Sequence, residues 1–248
     1  MIDRMQIPYL SMTDMFREIS EQLGGKIIDH EGRYITYASP SFLYARNFIL
    51  DAKESEIGPI LKEIHDNLSK GLPGGVSFIK ELAPENIAEL FAQNGFAPFI
   101  SQTGMIFDLA NGFSDEVDQN IAYMTDEQMG KWSVAVSEGF PKPMEDAPFI
   151  ALNKCDNVLT YGYMDGDEIG STGMLLMHPE YSGIHEISTV PPYRNKGQAT
   201  AIIIRMLQDL KQRGFSSVSL QASDAGRDYV YAPLGFESVC TIPTFIPA

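Results

Sequence analysis

The apolar positions of this chain change their spacing repeatedly, and each change marks an element. Between residues 12 and 23 they fall at Met12, Met15, Phe16, Ile19 and Leu23, the stripe of an amphipathic helix, and Gly24-Gly25 ends it. Residues 26–28 and 33–37 predict strands around a turn at His30-Glu31-Gly32, and residues 48–51 predict a third. Apolar residues at 57, 60, 61, 64 and 68 predict a second helix. A short strand at 76–79 comes next. Pro84 predicts the first position of a helix running to Gln93, because the N–H that proline lacks is one a first turn leaves unpaired anyway. Residues 96–109 return as one strand or a hairpin.

The stretch 112–120 is polar and acidic, and it predicts a boundary between a domain at 1–112 and another at 120–248. The second domain opens with a short strand at 121–124. Thr125 and Gln128 have capping-box spacing for a helix through Trp132 to about residue 137, broken by Gly139 and the prolines after it. Strands are predicted at 149–153, 158–164, 170–177 and 183–190, with Asp165-Gly166 turning the second into the third. A helix follows from about Gly197 to Arg213, with Ala199, Ile203, Met206, Leu207 and Leu210 on one face and Gly214 beyond its end. A strand at 218–221, a helix at 225–232 and a strand at 237–245 complete the chain. Gly-Phe leads from helix to strand at Gly95-Phe96 and again at Gly235-Phe236, a local echo between the halves.

Composition narrows the function classes. Apolar residues make up 44% and charged residues 21% of 248, which suits a globular protein with a real core. The longest apolar run, 199–206, is interrupted by Thr200 and Arg205 and falls far short of the roughly 20 residues of a membrane span. The first residues lack the apolar core of a signal peptide, so a cytoplasmic protein with no membrane partner is expected. The net charge of −15 argues against nucleic acid, whose phosphates need a basic footprint, and suits a cationic substrate as well as plain solubility. Cys155 and Cys240 stand far apart with no CxxC. The histidines (His30, His65, His178, His185) show no HExxH, so no metal site is expected.

One stretch carries chemistry: Ile187-Ser188-Thr189, then Pro191-Pro192, then Arg194-Asn195-Lys196-Gly197-Gln198-Ala199-Thr200. A strand runs into a turn and the turn into a helix, whose N-terminus offers unpaired N–H groups and the positive end of a dipole. Five basic residues lie between 194 and 213 against one acid, Asp209. The spacing is neither a Walker A loop nor a GxGxxG. Arg194-x-x-Gly197-x-Ala199 resembles the pyrophosphate loop of the GNAT superfamily of acetyltransferases. The stretch from Leu220 to Tyr231-Ala-Pro-Leu-Gly235-Phe236 resembles the region after the next strand in the same superfamily, where a tyrosine precedes a Gly-Phe pair.

The resemblance covers about residues 121–245 and implies a fold, a cosubstrate and roles. The fold would be α/β, a mixed and mostly antiparallel sheet flanked by helices. Residues 1–112 are similar to the degenerate GNAT-like copy that precedes the working domain in some bacterial members. Acetyl-CoA would be the cosubstrate and a primary amine of a small molecule or peptide the acceptor, with a homodimer admitted. The amides of Asn195, Lys196, Gly197, Gln198, Ala199 and Thr200 would hold pyrophosphate, with positive charge added by Arg194 and Lys196, and Ile187, Ser188 and Thr189 would pair with the pantetheine arm. Tyr231 would protonate the leaving sulfur, and His185 or Glu186 would take the amine proton. Regular alternation puts His185 on one face with Ile187 and Thr189, and Glu186 on the other. The sequence departs from the family at Asn195, where glycine is common, and at Asp224, where asparagine often contacts the coenzyme. These departures favour an alternative: an acyl-CoA-binding or partner-binding module that kept the fold without turnover. Residues 139–148 and 178–181, with Tyr193 and Tyr229, are candidate walls of the acceptor pocket.

Overall fold

A computed structural model describes residues 2–41, 44–51, 53–116, 118–140 and 147–248. The elements run α1 (Ile7–Gln22), β1 (Lys26–Asp29), β2 (Tyr34–Ala38), β3 (Arg46–Ile49), α2 (Glu54–Leu68), β4 (Val76–Ser77), α3 (Ile87–Gln93), β5 (Phe96–Asp108) and β6 (Ile121–Tyr123). Then come α4 (Met129–Gly139), α5 (Ala147–Leu152), β7 (Val158–Asp165), β8 (Glu168–His178), β9 (Tyr181–Thr189), α6 (Gln198–Gln212) and β10 (Ser217–Ala222). The chain ends with α7 (Asp224–Gly226), a π-helical turn (Arg227–Tyr231), α8 (Ala232–Leu234) and β11 (Glu237–Pro247).

These elements form two compact units. Unit one comprises residues 1–104 and 239–248, and unit two residues 105–238. The sequence expectation instead placed the division at 112–120 and gave the final strand to the second half. Polar composition marks a connection, but strand pairing decides where the last residues go.

In unit one the strand order is β1-β2-β3-β4-β11-β5. Its helices cover both faces of the sheet. Tyr9, Met12, Phe16 and Ile19 of α1 are buried, and Phe16 meets Phe48 edge-on at 4.9 Å. On the other face Ile57, Ile60, Leu61 and Ile64 of α2 pack with Phe78, Phe91 and Phe245. Burying side chains of this size is worth about 1.5–3 kcal/mol each.

Unit two orders its strands β5-β10-β9-β8-β7-β6. β6 through β9 form an antiparallel meander, and β10 joins β9 in parallel after the α6 crossover. Helix α6 buries Ile202, Ile203, Met206, Leu207 and Leu210 against one face of the sheet. Its end is a Schellman turn: Phe215 N–H bonds to Leu210 O, Gly214 N–H bonds to Lys211 O, and Gly214 has φ 83°. Helix α4 lies against β8 and β9. Its buried Trp132 donates from the indole to Tyr161 O at 2.8 Å.

Two expectations are corrected. Residues 149–153 form most of a helix, α5, where a strand was predicted. Phe149 and Leu152 are the buried residues there, three apart, and Phe149 packs edge-on against Trp132. A four-residue apolar run does not show its period by itself. Helix α3 starts at Ile87, because Pro84 accepts from Ile87 N–H in a turn that precedes the helix.

Candidate active site

The site begins with an irregularity in β9. Its pairing with β8 runs from His178↔Tyr181 to Met174↔His185, then resumes at Thr172↔Ser188. Glu186 and Ile187 therefore oppose Gly173 alone, which is a β-bulge. Glu186 takes the left-handed conformation, φ 53°, and Thr172 Oγ1 donates to its carbonyl at 3.0 Å. Gly173 is required: a Cβ there would lie 2.5 Å from the Met206 methyl and 2.8 Å from Ile187 and Ile202 side-chain carbons. A glycine inside an apolar strand is the sequence signal of such a bulge.

The bulge has two consequences. Pairing of β9 with β10 covers only Gly183↔Ser219 and Ile184↔Leu220, so the strands part where Glu186 begins. The bulge also resets the faces. Ile184 and Ile187 both pack on the α6 side, while Ser188 bonds to α4. His185, next to Ile184, points to the α4 face. The expectation that His185 shares a face with Ile187 and Thr189 is thus overturned by the extra residue.

After β9 the chain turns through Pro191–Tyr193 into the loop before α6. Asn195 (φ 60°) and Gly197 (φ 78°) are both left-handed. Asparagine tolerates that conformation better than most residues, which suits Asn195 to its place in the loop. Gly197 begins α6 with no side-chain cap, and the first turn holds no acid. The amides of Gln198, Ala199 and Thr200 therefore head a dipole that no side chain of the helix neutralises. Gln198 is buried, and its Oε1 accepts from Ser171 of β8 at 3.1 Å. Ser171 Oγ also lies 2.9 Å from Thr189 Oγ1. Since Ser171 has one proton and gives it to the amide oxygen, Thr189 donates to Ser171. This chain fixes the head of the helix to the end of β9, and the sequence reading missed it.

The two loop cations differ in employment. Lys196 stands over the Tyr193 ring at 5.2 Å. The Arg194 guanidinium donates from Nε to Thr189 O at 3.1 Å and from Nη2 to Gly139 O at 3.0 Å. The rest of the basic island does not serve the loop. Arg205 pairs with buried Asp209, which also accepts from Tyr123 and Tyr161, and Arg213 lies about 22 Å along the helix from its head.

Tyr231 closes the π-helical turn and is buried among the α6-side core, edge-on to Phe236. Burial, and then the charge of Glu186, raise its hydroxyl above the ordinary value, so it is a protonated donor at neutral pH. Tyr231 and Glu186 are thus brought together, and Glu186 is partly exposed. His185 is buried and its pKa is lowered to about 4 by desolvation. Asp224 points outward: its side chain is 86% exposed and bonds to Arg227 at 3.0 Å. Of the candidate pocket aromatics, Tyr181 is buried against His178 and Tyr229 is 83% exposed. Residues 141–146 of the predicted acceptor loop lie outside the described residues. Among the described residues no group of His, Cys, Asp and Glu is arranged to hold a metal, and no helix is long and apolar enough to cross a membrane.

Residues 122–236 match the Acetyltransferase (GNAT) family. This stretch is a GNAT domain. Solved structures share its fold. A GCN5-related N-acetyltransferase from Kribbella flavida is 12% identical, with TM-score 0.72, covering 96% of this chain and 95% of that one. A GCN5-related N-acetyltransferase from Sphaerobacter thermophilus is 16% identical, with TM-score 0.63, covering 88% and 81%. A tandem GNAT protein from the clavulanic acid biosynthesis pathway is 11% identical, with TM-score 0.59, covering 86% and 77%. At these identities the likeness is one of fold. None of the curated proteins matches the chain. Within the GNAT domain the bulge at Glu186 and the left-handed loop both lie at the parted end of β9, and the charge of Glu186 is felt at Tyr231.

Proposed function

We propose that the GNAT domain transfers an acetyl group from acetyl-CoA to a primary amine by direct attack. The observation that carries the reading is the parting of β9 from β10 at the Glu186 bulge, immediately before a left-handed, uncapped loop at the head of α6. An added backbone would pair with the edge of residues 187–189 that β10 does not reach, as an extra strand does. The amides of residues 195–200 suit its pyrophosphate. Nothing in the chemistry calls for a metal.

The step then balances as follows. The neutral amine nitrogen attacks the thioester carbonyl and an N–C bond forms. The tetrahedral oxyanion collapses and the C–S bond breaks. Glu186, directly or through water, takes the proton the nitrogen sheds, and Tyr231 gives its proton to the sulfur. Of the two candidate bases, a histidine held near pKa 4 is a poor match for an ammonium proton, which favours Glu186. Unit one is read as a GNAT-like copy without a phosphate loop, a reading that the tandem neighbour supports.

The first experiment is calorimetric titration with acetyl-CoA, followed by thiol release with spermidine, an amino sugar, a lysine peptide and a free peptide N-terminus. Tyr231→Phe should retain coenzyme binding and lose about 10–100-fold in kcat. An unchanged kcat would remove Tyr231 from the acid role. A second reading, coenzyme binding without turnover, draws on the acid at Asp224. It predicts micromolar binding with no thiol release from any amine.

A further inference from the structure

We infer that Arg194 is a positioning residue, a strut that fixes the last turn of α4 against the end of β9, and that phosphate is left to the loop amides and Lys196. The inference rests on the reading that the end of β9 receives the thioester. An arginine chelates a phosphate best through the edge formed by Nε and one terminal nitrogen. In this protein that edge is already engaged. Nε donates to Thr189 O and Nη2 to Gly139 O, at 3.1 and 3.0 Å.

Gly139 is the last residue of α4. Its carbonyl is one of four that a helix end leaves without an internal partner, and the dipole there favours a cation. A second tie lies one turn earlier, where the Ser188 hydroxyl donates to Val136 O at 3.0 Å. The approach is close: a Cβ on Gly139 would collide with the Ser188 hydroxyl and come within 2.8 Å of Thr189 N. Ser188 and Thr189 are the last residues of the strand on which the thioester would lie. The turn held by Arg194 therefore borders the place where an amine must approach. One side chain of the loop thus sets the wall opposite the coenzyme, and the strut sets the geometry of attack rather than the affinity for coenzyme.

The test uses the full chain with Arg194→Ala, Arg194→Lys and Lys196→Ala. Arg194 is exposed, so the variants should fold, which far-ultraviolet circular dichroism checks. Both Arg194 variants should bind coenzyme A within about threefold of the parent, whereas Lys196→Ala should weaken it by about tenfold. Amide exchange across residues 135–140 should speed by about tenfold or more in both Arg194 variants. With the best amine of the panel, both should keep the KM for acetyl-CoA and lose about tenfold in kcat/KM for the amine. Lysine should not rescue, because an ammonium has no planar two-donor edge. The inference is overturned if Arg194→Ala weakens coenzyme A by about tenfold and Arg194→Lys restores it, or if exchange across the turn is unchanged. Should the parent protein bind no coenzyme A, the functional reading fails by itself, and the exchange measurement still decides whether the strut exists.

Discussion

Each unit contains a strand–helix–strand crossover between parallel neighbours, β3–α2–β4 in one and β9–α6–β10 in the other. The supersecondary unit is the same, and the heads of the two helices are chemically opposite. Helix α2 opens with Glu54 and Glu56, and the Glu56 carboxylate accepts from Lys53 N–H at 2.8 Å. It supplies its own anion. Helix α6 has no acid in its first turn, no side-chain cap, and two left-handed residues and two cations just before it. On the proposed reading, anion affinity would lie in about six residues of loop and first turn, and the crossover itself would not confer it.

The largest effect expected follows from that contrast. Gly197→Glu places a carboxylate and a Cβ at a left-handed position at the head of α6. Coenzyme A affinity should fall by more than about 100-fold, near 2.7 kcal/mol, in a calorimetric titration. Glu54→Gln with Glu56→Gln removes the internal anion of α2 without supplying a loop. Stoichiometry should stay at one per chain. A second binding event in that double variant would break the comparison.

The histidines of the two units sharpen it. His30 in unit one meets Glu63 at Nδ1 (3.1 Å) and Thr36 at Nε2 (2.9 Å). Thr36 in turn donates to Asn47 at 2.6 Å. The carboxylate–imidazole–hydroxyl order imitates a catalytic triad, but Thr36 is fully buried and its proton goes to Asn47, so it is no nucleophile. His185 in unit two is buried without a carboxylate among the groups that shift it, and its pKa falls from 6.5 to about 4. The sign is fixed by linkage. Between those values the unfolded chain binds a proton that the folded chain refuses. Stability is then full above about pH 6.5 and lost as the pH drops toward 4, on the order of 3 kcal/mol at most. Thermal melts of the parent against His185→Gln across that window check it, and parallel curves would refute it.

Much of this was legible in the sequence and some was not, for physical reasons. The α6 face, Gly214 and the Arg194-to-Ala199 loop could be read because helix period and turn chemistry are local. The order of strands 158–190 was legible from turns such as Asp165-Gly166. What failed was non-local. The bulge at Glu186 depends on Gly173 of another strand and on Met206 of α6, so alternation assigned the wrong face to His185. The employment of Arg194 depends on Gly139, 55 residues away. The basic island looked uniform because the sequence does not show that Asp209 takes Arg205.

Two partly buried arginines give the most discriminating prediction, and one of them the smallest effect. In unit two Arg205 bonds to Asp209, and Asp209 also accepts from the Tyr123 and Tyr161 hydroxyls at 2.8 Å each. Asparagine keeps one acceptor oxygen for two hydroxyls and a cation, loses the charge and adds an NH2 donor, so Asp209→Asn should cost about 2–3 kcal/mol. In unit one Arg46 lies over the Phe16 ring at 5.0 Å, with Thr244 Oγ1 at 3.4 Å and no carboxylate partner among the described residues. Burial lowers its pKa to about 10. A cation held there offsets little of its own desolvation, so the apolar Arg46→Met should be neutral or stabilising by up to about 1 kcal/mol. Denaturant unfolding of both variants decides the matter. If Arg46→Met costs as much as Asp209→Asn, the ring and the threonine hold that charge as well as a carboxylate does.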